Sequence, residues 1–127
     1  MSDPGRALSA VLGRGSAHEG AHHWRAQRLT ALALLLLGPW FAISMALLPD
    51  FSYDSVHAFL SGLCNAALLC LLIACLCWHS QLGVQVVIED YVKGAARMAS
   101  LIFSAFLHVL LAVLALLAVL RVAFAAH

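Results

Sequence analysis

Three long apolar runs decide what this chain can fold into. The first, Leu29 to Leu48, contains no charged residue, and about 20 residues is what an α-helix needs to cross the hydrocarbon of a bilayer. The second extends from about Ala58 to Ile88, and the third from Met98 to Phe124. A backbone amide left unbonded in lipid costs several kcal/mol, so such segments cross as helices whose amides bond internally. The 127 residues are 64% hydrophobic and 10% charged, with a mean hydropathy of +0.96. A soluble domain carries about a quarter charged residues. The reading is an all-α integral membrane protein with three transmembrane helices, over about 29–48, 58–90 and 98–124, in one domain covering 21–127. A net charge of +1 excludes a basic nucleic-acid binder and leaves the lipid bilayer as the surroundings.

Residues 1–20 are rich in Gly, Ser, Ala and charge and read as a flexible cytoplasmic arm. No long apolar core precedes Leu29, so the first span is expected to act as an uncleaved insertion signal. AHHWRAQR at 21–28 suits the membrane interface. Pro39 lies inside the first run, where neighbouring helices or waters can re-satisfy the carbonyl it frees. Pro49-Asp50 ends that run, and the following loop sets Tyr53 at the opposite interface. Gln81, Gly83 and Gln85 interrupt the second run, and the two amides need partners inside a bundle. Arg6, Arg14, Arg25 and Arg28 precede the first span, Lys93 and Arg97 lie between the second and third, and the first connection has neither Lys nor Arg. The positive-inside rule then places the N-terminus in the cytoplasm and the C-terminus in the periplasm.

The chemistry concentrates in Trp78 to Lys93, WHSQLGVQVVIEDYVK. His79 and Asp90 are eleven residues apart. At about 100° and 1.5 Å per residue they share nearly one helical face, roughly 16 Å apart along the axis. His79 is expected near the middle of the bilayer, where an imidazole is costly unless paired or bound to a metal, and a haem iron is a natural partner. Gly83, one turn on, is expected to let a flat macrocycle approach the backbone. Asp90 and Tyr91 stand at the water boundary. Two adjacent acids oppose the helix dipole there, and a phenol oriented by a carboxylate can donate to a quinone carbonyl. His22, His23, Arg25 and Arg28 can neutralise carboxylates such as haem propionates, with Arg28 the best placed. His108, in the third run, opens an alternative: a self-contained bis-histidine cytochrome b using His79 and His108. A further alternative is a structural membrane protein whose polar groups only pack helices. Cys64, Cys70, Cys75 and Cys77 form no CxxC pair and read as small apolar residues.

Two motifs resemble a known family. The opening H-W-x-x-Q-R-x-T-A, read from His23-Trp24 through Ala31, is one. The other is a histidine, an eleven-residue step to aspartate, then Tyr-Val. Together with a third apolar helix, from Gly20 onward, they are similar to the hydrophobic membrane anchor subunits of bacterial succinate dehydrogenase, respiratory complex II. The resemblance implies a multi-pass protein of the bacterial inner membrane with no catalytic activity alone. It implies three partners: a cytochrome b membrane subunit, an iron–sulfur subunit and a flavoprotein subunit, which with the anchor oxidise succinate and pass electrons to ubiquinone. It also implies a haem b shared with the cytochrome b subunit, with His79 as one axial ligand and His22 and Arg28 near the propionates. Tyr91 and Asp90 are then the quinone-site residues.

Overall fold

The computed structural model describes residues 16–125. It contains α1 (Ser16–Ala46), α2 (Tyr53–Ser61), α3 (Leu63–Tyr91) and α4 (Ala95–Phe124), and no strand among the described residues. Three stretches, Gly20–Ala46, Leu63–Tyr91 and Ala95–Phe124, are long and apolar enough to cross a membrane. Their outward faces carry large apolar side chains: Leu36 is 75% exposed and Phe106 is 65% exposed. Apolar surface on that scale needs lipid or a partner against it. The chain is a three-span membrane protein.

α3 is the centre of the bundle. α1 packs on one side of it and α4 on another, and those two outer helices make no contact with each other among the described residues. Thr30 meets His79 while Gln27 lies beside Gly83, and His108 meets Ser80 while Val119 packs with Ala66, so α3 runs antiparallel to both. The N-terminal end of α1, the C-terminal end of α3 and the start of α4 therefore lie at one end, and α2 lies at the other.

Two boundaries differ from the sequence reading. The second apolar run is not one helix from Ala58. Gly62 adopts an extended backbone (φ −70°, ψ 115°) and divides it into α2 and α3. The Asn65 amide stabilises the break by donating to the Phe59 carbonyl at 3.0 Å, one of the orphan acceptors at a helix end. At the other boundary α1 starts at Ser16, so residues 16–20, expected in the arm, are helical. The rest of that arm lies outside the described residues.

α2 is nucleated by a polar knot. Asp50 Oδ1 accepts from the Ser52 amide (3.1 Å), the Ser52 hydroxyl (2.6 Å) and the Ser55 hydroxyl (2.5 Å), and Ser52 caps the helix. The two hydroxyls and then the amide hold the Asp50 carboxyl below its ordinary value of 3.8. The Asp50 carboxylate is charged at neutral pH, a favourable sign beside a helix N-terminus. α2 then lays Leu60 against Ala66 and Val119, with Phe59, Cys70 and Ile73 around them. The Trp40 ring of α1 lies 6.3 Å from that of Phe59. Cys70 serves here as a small apolar residue.

α3 ends at Tyr91 and only three residues lead into α4. The turn is made at Gly94, with φ 68° and ψ −152°, a conformation essentially reserved for glycine. A Cβ there would meet nothing within 4 Å, so any cost of substitution is backbone strain alone. Gly94→Ala is expected to lower stability by about 1–3 kcal/mol, read as a lower unfolding temperature of the detergent-solubilised protein, with Gly20→Ala as an unstrained comparison.

Candidate functional site

His79 lies close to the centre of the 29-residue α3, facing α1. Its Nδ1 is 3.0 Å from the Thr30 hydroxyl, and Thr30 is only 3% exposed. That hydroxyl is also 2.8 Å from the Ala26 carbonyl and 3.1 Å from the Gln27 carbonyl. A threonine hydroxyl has one proton, and on a helix it goes to a carbonyl one turn back. The hydroxyl is then left with a lone pair for the imidazole, so His79 Nδ1–H donates to Thr30 Oγ1. In a neutral ring the remaining nitrogen, Nε2, keeps its lone pair. It makes no hydrogen bond among the described residues. A histidine so arranged is a ready metal ligand, its ring fixed by the hydrogen bond from its other nitrogen.

His108 carries its proton on the same nitrogen, but its other nitrogen is engaged. Its Nδ1 lies 2.8 Å from the Ser104 carbonyl, which can only accept, so Nδ1 carries the proton. Nε2 therefore accepts from the Ser80 hydroxyl, 3.1 Å away. Both nitrogens are engaged, Nδ1 within α4 and Nε2 across to α3. His79 faces α1 and His108 approaches α3 from α4, so the bis-histidine alternative is not supported: the two rings serve different interfaces. His108 lines a groove of about 440 Å³ with Cys77, Trp78 and Gln81.

His22, Arg25, Arg28 and Trp24 line a second groove, of about 570 Å³, whose α3 wall is again Trp78, the neighbour of His79. Arg28 is two residues from Thr30, roughly 3 Å along the helix axis. The cations of α1 thus come close to the level of the imidazole, nearer than the expected mid-bilayer depth implied. Arg28 is held with its guanidinium carbon 5.2 Å from the centroid of the Trp24 ring, a cation–π contact. Of the two adjacent histidines, His22 is exposed and belongs to this groove. His23 is half-buried, and its Nε2 is enclosed without a hydrogen-bond partner among the described residues.

Gly83 faces α1. A Cβ there would lie 4.0 Å from the Gln27 side-chain nitrogen, so Gly83 belongs to the α1–α3 contact. Gln85 donates to Glu89 at 3.0 Å along α3, which supplies the partner that an amide in this segment needs. Asp90 and Tyr91 end α3, both exposed, Tyr91 by 82%. Neither side chain hydrogen-bonds to the other or to any other described residue, so the expected orienting contact from carboxylate to phenol is absent within the chain. Their faces are open to an external group.

Thr30 is the residue that sequence reasoning missed. It lies inside the H-W-x-x-Q-R-x-T-A motif, where nothing in its residue type alone points to a role. The available signal is the spacing His23, Gln27, Thr30, which puts three polar side chains on one face of α1.

Against known families, residues 2–120 match the model of the succinate dehydrogenase/fumarate reductase transmembrane subunit. A succinate dehydrogenase hydrophobic membrane anchor subunit from Paracoccus denitrificans is 36% identical over 96 residues, 75% of this chain and 74% of that protein. One from Rickettsia bellii is 32% identical over 101 residues, covering 80% and 81%. With three spans and a polar site on the central helix, the chain belongs to the succinate dehydrogenase/fumarate reductase transmembrane subunit family, as a hydrophobic membrane anchor of succinate dehydrogenase.

Proposed function

We propose that this chain holds a b-type haem jointly with a cytochrome b membrane subunit, and forms part of the ubiquinone-reducing site with that partner and the iron–sulfur subunit. The flavoprotein subunit oxidises succinate, and this chain carries no catalysis alone. The assembly lies in the bacterial inner membrane with the N-terminus and the Lys93 turn in the cytoplasm and the C-terminus in the periplasm, as the Lys and Arg distribution favours.

The observation that carries the haem reading is the His79 ring: Nδ1 committed to Thr30, Nε2 with its lone pair uncommitted. A haem supplies a one-electron redox centre when bound. In this chain His79 Nε2 would bind the haem iron, with a further ligand supplied by the cytochrome b subunit. His22 and Arg28, with Arg25 beside them in the Trp78-walled groove, would hold the two propionates. A guanidinium suits a carboxylate geometrically, and in a poorly hydrated setting the charge-assisted bonds are strong.

At the end of α3, Tyr91 Oη would donate a hydrogen bond to a quinone carbonyl. Asp90, on the exposed end of the same helix, would accept and return protons at its Oδ atoms as the reduced quinone takes them up from the cytoplasmic side. The exposure of both groups supports this reading, because a site completed by other subunits leaves its residues open in the isolated chain.

In the intact complex, His79→Ala is expected to cut haem occupancy by at least about tenfold, since even loss of a group supporting a ligand costs about 10–100-fold. The test is the reduced-minus-oxidised visible spectrum per assembled complex, and an unchanged spectrum and potential would remove His79 from the ligand set. Tyr91→Phe is expected to lower quinone-linked turnover about tenfold, the worth of one hydrogen bond of about 1.4 kcal/mol. Succinate oxidation by a soluble artificial acceptor should be unaffected. Equal losses in both assays would assign Tyr91 to assembly instead.

A further inference from the structure

We infer that Thr30 is a positioning residue for the His79 imidazole, fixing its tautomer and ring plane and raising the electron density it offers to a metal. This role rests on the ligand role proposed for His79 and adds the residue that sets that ligand's properties. Thr30 is the most buried polar residue among those described, at 3% exposure. Its hydroxyl is the meeting point of three groups: the Ala26 carbonyl at 2.8 Å, the Gln27 carbonyl at 3.1 Å and His79 Nδ1 at 3.0 Å.

The direction of the relay follows from the proton count. The two carbonyls only accept, so the hydroxyl proton points to them, and the imidazole must supply the proton in the remaining contact. The chain of bonds runs from His79 Nδ1–H to Thr30 Oγ1, then from Thr30 O–H to the α1 backbone. Each donor in such a chain polarises the next, and an accepting oxygen on Nδ1–H makes Nε2 more basic. A more basic axial nitrogen stabilises the more oxidised, more positive metal. Thr30 therefore lowers the potential of a metal bound at Nε2. The β-branched side chain contributes stiffness, because χ1 of threonine in a helix is restricted to the rotamers that reach the carbonyl one turn back.

Valine copies the shape of threonine without the hydroxyl, and serine keeps the hydroxyl without the methyl. Both variants are to be made in the intact complex, co-expressed with its partner subunits in a bacterial host, and read by potentiometric titration of the haem and by its EPR spectrum. Thr30→Val is expected to shift the midpoint potential to more positive values, change the EPR g-values and speed haem loss about tenfold. Thr30→Ser should restore all three. A purely packing role would change the amount of complex assembled, but not the potential of each haem retained. Should Thr30→Val fail to assemble, Thr30→Ala removes the hydroxyl with less bulk and is read in the same way.

A Val or Ala variant with wild-type potential and g-values, beside a His79→Ala variant that loses its haem, would overturn the role of Thr30 and leave the ligand assignment standing. Retention of an unaltered haem in His79→Ala would overturn both.

Discussion

An imidazole in the middle of a membrane helix has to be paired, and the rest of the arrangement depends on how this one is. A ring nitrogen deprived of water and of a partner costs on the order of 1–3 kcal/mol. Here one nitrogen of His79 is served by Thr30 of the neighbouring helix, and the other is left with its lone pair. The contact also fixes the register of α1 on α3, because Thr30 is buried at that level and Gln27 then falls beside Gly83. Register in turn sets where the α1 arginines lie. Arg25 and Arg28 line the groove walled by Trp78, the residue before His79.

The two histidines near the centres of α3 and α4 differ in how many of their ring nitrogens the protein itself engages. They are of the same residue type, at similar distances from the Lys93 turn. His108 has both nitrogens engaged, Nδ1 on the Ser104 carbonyl of its own helix and Nε2 on the Ser80 hydroxyl of α3. His79 has one. The difference lies at Nε2: a serine hydroxyl of α3 meets that nitrogen of His108, and no described residue bonds that of His79.

Much of this is legible in the sequence. Three uncharged or nearly uncharged runs leave no alternative to three spans, and the eleven-residue step from His79 to Asp90 marks the working helix. The features that stay hidden have local causes. The break at Gly62 is invisible to an apolar count, because Ala58 to Leu63 is as apolar as the residues after it. It is stabilised by one side-chain contact, Asn65 to Phe59. The helical start at Ser16 lies in a stretch whose composition resembles a linker. The role of Thr30 depends on which residue of α1 faces which residue of α3, and that register is a tertiary fact. That Gly83 faces Gln27 of α1 is set by the same register. Asp90 and Tyr91 are legible as a pair of residues but not as a contact, since neighbouring positions on a helix point about 100° apart.

The most direct measurement is a structure of the assembled complex in lipid, at a resolution that defines the His79 ring. The expected result is His79 Nε2 bonded to iron, with Nδ1 still on the Thr30 hydroxyl and Arg28 at a propionate. A ring with Nε2 turned to lipid, or engaged only by another protein group, would contradict it.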